Sequence, residues 1–94
     1  MCKSNFYGHI LAVVEKETEV SRERILSREK ESDVVEAREL LFYYLFRKGF
    51  SYVQISRLTG LTRQCVAASI GRFPTKDERS NFLTIIMQNI DNAL

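Results

Sequence analysis

SYVQISRLTGLTRQCVAASIGRF, residues 51–73, is the stretch on which the fold turns. Ser51 is placed to cap a helix whose Val53, Ile55 and Leu58 face inward. Gly60 supplies the left-handed residue that ends it, and Leu61 plugs the corner that follows. Thr62 caps the next helix, where Val66, Ile70 and Phe73 recur at i, i+4 and i+7 as an inward face. Ser56 is small where the two helices must approach closely. The pattern predicts a helix-turn-helix, and its alternative is a plain corner between two helices of a helical protein.

A second helix held proud of a bundle by the first fits the major groove of double-stranded DNA, with its N-terminal residues at base edges. Arg63 and Gln64 fall there, and arginine pairs with guanine as glutamine does with adenine. Ala67 and Ala68 offer methyl groups or room for close approach. Arg57, Arg72 and Lys76 are the expected phosphate contacts, joined by Tyr52 through its hydroxyl. Helix N-termini at Ser51 and Thr62 add backbone donors. Arg28 and Lys30, further upstream, are candidates for backbone or minor-groove contacts.

Outward from this segment the same helical period continues. Phe6, Ile10, Val13 and Val14, with Tyr7 and Leu11, mark a first helix from about Asn5 to Thr18. Ser21 reads as the cap of a short helix at Arg22 to Leu26, followed by a polar connection. Asp33 with Glu36 resembles a capping box opening a third helix that runs to about Lys48, before Gly49. Its apolar residues cover nearly the whole circumference, which makes it the central helix. After Pro74, Thr75 is expected to cap a last helix at about 75–94, with Phe82, Leu83, Ile85, Ile86, Met87, Ile90 and Leu94 on a broad apolar face. That face either packs on the bundle or forms a homodimer seam, so monomer and homodimer both stand. The expectation is one all-α domain over residues 1–94, a small bundle of five to six helices.

Composition narrows the function classes. Ninety-four residues at 45% hydrophobic content support one core, but a chain this short buries only roughly 60 to 65% of its extended surface, too little for a second walled cleft. No paired carboxylates, serine–histidine–acid set or glycine loop suggests catalysis, so no enzyme, small-molecule substrate or cofactor is expected. The net charge of +2 conceals a gradient: residues 47–79 hold seven basic and two acidic side chains, whereas residues 1–46 hold seven basic and nine acidic. A basic middle third points to a polyanionic partner. Cys2 and Cys65 have neither metal spacing nor a second cysteine nearby and read as free thiols, Cys65 as filler or as a redox-sensitive point in the second helix. His9 has no ligand-type partner at i+4, so no metal site is expected. Glu15, Glu17 and Glu19 stand where a signal peptide would be cleaved, and no apolar run is long enough to cross a membrane, which predicts a cytoplasmic location without a membrane partner.

From about Ile10 to Phe73, two thirds of the chain, the sequence resembles the C-terminal DNA-binding domain of the bacterial chromosomal replication initiator DnaA. The matching phrases are VSRERILSREKES, then VVEARELLFYYL with its Val-x-Ala-Arg lead-in at Val35 to Arg38, then SYVQISRLTG and the helix containing Val66, Ile70 and Phe73. The resemblance implies a Trp-repressor-like helix-turn-helix fold and DNA binding, as a small transcriptional regulator or replication accessory factor. Two departures stand beside it. Gly60-Leu61-Thr62-Arg63-Gln64-Cys65-Val66 is one residue shorter than the family's signature and lacks its Arg-Asp-His. Ser32 occupies the position of the family's minor-groove arginine. A helical protein-interaction module, docking through the Ala67–Ala68 face or the final helix, is the alternative function.

Overall fold

A computed structural model describes residues 3–94, with side chains from Phe6 onward, and places on them six α-helices and no strand. The helices are α1 (Lys3–Thr18), α2 (Arg22–Ile25), α3 (Ser32–Arg47), α4 (Tyr52–Thr59), α5 (Arg63–Arg72) and α6 (Asn81–Ala93), with a 3-10 turn at Lys76–Glu78 before the last. The expected all-α bundle is therefore what the chain forms. Cys2 lies outside the described residues.

The third helix sits at the centre because it is apolar on nearly every side. Val34, Ala37, Leu40, Leu41, Phe42, Tyr44 and Leu45 are all buried, and α3 packs against α1, α2, α4 and α5. Ile10, Leu11 and Val14 meet it from α1, which also packs on α6. Leu83, Ile86, Met87 and Ile90 form the buried face of α6, at the helical spacing that puts them on one stripe.

A polar bond ties this core together. The Tyr44 hydroxyl, on a side chain that is 1% exposed, donates to the Met87 carbonyl at 3.0 Å. Burial pushes its pKa up, and the nearby Asp91 carboxylate adds to the effect, so it stays a neutral donor. Replacing Tyr44 with phenylalanine leaves the carbonyl without this partner and is expected to cost about 1 to 2 kcal/mol. In a domain of this size that lowers Tm by roughly 5 to 15 °C, read in a circular dichroism melt. An unchanged Tm would mean that water replaces the hydroxyl at no cost.

Several boundaries differ from the sequence expectation. The Asp33–Glu36 capping box does not form: α3 begins one residue earlier, at Ser32 after Glu31, and the Asp33 carboxylate accepts from the Val34 amide instead. Ser21 does precede α2, but its side chain makes no capping bond. The last helix does not start at Thr75. Thr75 and Glu78 close a single 3-10 turn, in which the Glu78 carboxylate accepts from the Thr75 amide and hydroxyl. A second cap, Ser80, then opens α6 by accepting from the Leu83 amide at 3.1 Å. Val53 points outward, 37% exposed, because it lies about 200° around the helix from buried Ile55.

Candidate nucleic-acid interface

The corner between α4 and α5 follows from four local choices. Ser51 opens α4 with a complete capping box, its hydroxyl accepting from the Gln54 amide while the Gln54 side chain accepts from the Ser51 amide. Gly60 ends α4 at φ +76°, in the left-handed region where a side chain would strain. Leu61 is buried at the corner, and Thr62 opens α5 by accepting from the Cys65 amide at 3.1 Å. Ser56 contributes more than small size, since its hydroxyl donates to the Leu61 carbonyl at 2.6 Å. Buried Thr59 adds a second tie, donating to the Ile55 carbonyl and accepting from the Leu61 amide. These bonds together hold the angle at which α5 leaves the bundle.

One face of α5 is held in and the other left out. Val66 is fully buried, and Ile70 and Phe73 are half-buried, Phe73 stacking on Tyr43 with ring centroids 4.3 Å apart. Arg63, Gln64, Ala68 and Gly71 are exposed, with Ala67 half-buried beside them. Arg63 and Gln64 therefore stand in the first turn of a helix whose exposed face carries no further donor until Arg72 in its last turn.

The loop before α3 closes one flank of this face, and Arg38 positions it. The Arg38 side chain is buried in the apolar surroundings of α3, where its Nε donates to the Ile25 carbonyl at 2.8 Å and its Nη2 donates to the carbonyl of Glu29 at 2.9 Å. The alternating charges of the loop then separate. Arg24 draws Glu29 and Glu31 to itself at 2.8 Å each. Arg28 and Lys30 remain exposed and, among the described residues, without an ion pair. They line a cavity of about 570 Å³ that lies between this loop and the flank of α5 bearing Thr62, Cys65, Ser69 and Arg72. Among the described residues no carboxylate lines it.

The expected site residues fall into three groups. Arg28, Lys30, Thr62 and Arg72 converge on that cavity, whereas Arg63 and Gln64 are exposed on the first turn of α5 and do not line it. Arg72 is partly engaged, its Nε 3.6 Å from the Glu39 carboxylate, whose pKa burial raises while Arg72 opposes the shift. Arg57 is exposed on α4, beside a shallow concavity shared with Phe50, Gln54 and Leu58. Ser51, Tyr52 and Lys76 do not reach the cavity: the Ser51 oxygen is used in its cap, the Tyr52 ring stacks on Phe46 at 5.2 Å, and Lys76 is exposed in the turn after Pro74. Sequence reasoning missed Arg38 as the loop's anchor and Ser69 as a cavity residue. The signal for Arg38 is a cation within a run of buried helix positions, while Ser69 carries none.

His9 is exposed at the bundle surface, with Nε2 3.3 Å from the Ala93 carbonyl. Among the described residues no cluster of three or more histidine, cysteine or acidic side chains is arranged to hold a metal ion, and no helix is long and apolar enough to cross a membrane. No protein-family model, curated protein or solved structure matches the chain.

Proposed function

We propose that this chain binds double-stranded DNA through its helix-turn-helix, as an initiator-like domain serving a bacterial regulator or replication accessory factor. The observation that carries the reading is convergence: two cationic elements far apart in sequence, the loop with Arg28 and Lys30 and the end of α5 with Arg72, line one cavity that has no carboxylate in its lining among the described residues. In this arrangement α5 enters the major groove with Arg63 and Gln64 at base edges. The phosphates on either side meet Arg28, Lys30, Arg57, Lys76 and the free part of Arg72.

Salt dependence tests it. Neutralising about five phosphates gives a slope of log affinity against log salt near −4 to −5, a loss of roughly 250- to 1000-fold between about 50 and 200 mM salt. Fluorescence anisotropy with a random-sequence duplex reads this directly. A slope shallower than about −1 would remove DNA as the partner of this face. Phe82 and Ile85, 69% and 56% exposed on α6, favour a second reading in which the chain docks on protein, a copy of itself included. Binding to that face would hardly respond to salt.

A further inference from the structure

The 570 Å³ cavity has the makings of a built site rather than a gap between helices. Its size lies within the range of small-molecule pockets, about 300 to 1,000 Å³. Its rim is cationic through Arg28 and Lys30, and its wall is apolar through Val35 and Leu61. Ser69 lines it as well, on a residue only 3% exposed. A helical serine ordinarily satisfies its hydroxyl on the carbonyl four residues back. Ser69 does not: its hydroxyl makes no hydrogen bond within the described protein, although every buried polar side-chain atom cut off from solvent has a partner. The atom therefore keeps access to solvent on a residue that lines the cavity, and a group arriving there would complete it.

We infer that this cavity binds a nucleotide phosphate ester. The phosphate oxygens take charge-assisted bonds from Arg28 and Lys30, and one of them accepts from the Ser69 hydroxyl. A planar ring joined to the phosphate through its sugar lies against Val35 and Leu61, which no bare inorganic anion would use. The ester has two sources, a free mononucleotide or a nucleotide of a bound DNA strand whose base is turned out of the stack. Only the second rests on the proposed function.

The full chain, titrated with adenosine monophosphate carrying a fluorescent ribose label, separates the outcomes when run beside a duplex of about 20 base pairs at about 50 mM salt. Ser69→Ala is expected to weaken the bound ligand about fivefold, the loss of one hydrogen bond. The Arg28→Ala, Lys30→Ala double variant should weaken it more than about tenfold by removing two charge-assisted bonds, and both positions are exposed, so the fold is not at risk. Lys16→Ala, an exposed cation on α1, should leave binding unchanged. Saturable mononucleotide binding that follows this pattern identifies the free source. A pattern seen only with the duplex identifies the strand's own nucleotide. The inference fails if neither ligand responds to Ser69→Ala, or if Lys16→Ala weakens binding as much as the double variant, which would mark diffuse attraction to positive charge. Loss of the duplex alone, with the mononucleotide retained, would refute DNA binding and leave this site standing.

Discussion

Exchanging Arg38 for methionine is expected to destabilise the fold by about 2 to 4 kcal/mol and to release the loop that carries Arg28 and Lys30. Methionine fills much of the same space, so the loss does not come from a hole. It comes from the carbonyls of Ile25 and Glu29, which the guanidinium holds at 2.8 and 2.9 Å, with the Arg24 carbonyl at the edge of its reach at 3.5 Å. Each carbonyl deprived of a charged donor costs about 1 to 3 kcal/mol where water cannot follow. For a chain of this length Tm should fall by roughly 10 to 25 °C. Limited trypsin digestion should then cut after Arg28 and Lys30 before any site within the helices, because the loop's backbone has lost its anchor. Arg38→Lys should recover only part of the stability, since one ammonium on a flexible stem cannot span carbonyls that a planar fork reaches together. A melt of Arg38→Met within about 0.5 kcal/mol of the parent would show that the loop holds itself.

That anchor also marks the limit of what the sequence makes legible. The corner at residues 59–62 is local physics: a glycine that accepts positive φ, a leucine beside it and a threonine three residues before the amide it caps. Such signals need no partner from elsewhere, so they can be read in order along the chain. The start of α6 is local too, yet ambiguous, because Thr75 with Glu78 and Ser80 with the Leu83 amide are two competent caps five residues apart. Arg79 decides between them. Its guanidinium bonds the Pro74 carbonyl and the Tyr43 hydroxyl, holding the chain extended between the two caps, and Tyr43 lies 36 residues away. Counting apolar residues rather than angles around the helix puts Val53 on the wrong face. The sorting of Glu29 and Glu31 towards Arg24, and the cavity that Ser69 lines, arise only when the loop meets α5. Neither has a period or a spacing to betray it. The helices and their corner are thus readable from residue order, while the site depends on contacts across the bundle.

Substituting both Arg63 and Gln64 with alanine is expected to abolish sequence preference while leaving the protein folded. Both side chains are exposed, and neither takes part in a helix cap or an ion pair among the described residues. The stability change should therefore stay within about 0.5 kcal/mol. Beyond them α5 presents Ala67, Ala68 and Gly71, which can meet a thymine methyl but cannot donate to a base. With Arg72, in the last turn, assigned to phosphate and partly held by Glu39, discrimination by hydrogen bonding falls to the first turn, at about 1 to 3 kcal/mol for each bidentate contact. Two such contacts amount to a preference of roughly 30- to 20,000-fold between the best site and a random one. Selection from a random duplex pool, followed by sequencing of the retained fraction, measures it. Arg57→Ala provides the contrast, for removing a phosphate-binding cation from α4 weakens every duplex alike and flattens the salt slope by about 1. If the double variant enriches the same motif as the parent, reading lies elsewhere. Sequence-dependent groove shape, met by Arg28 and Lys30 on the flanking loop, would then carry the specificity, and α5 would serve chiefly to seat the domain on the backbone.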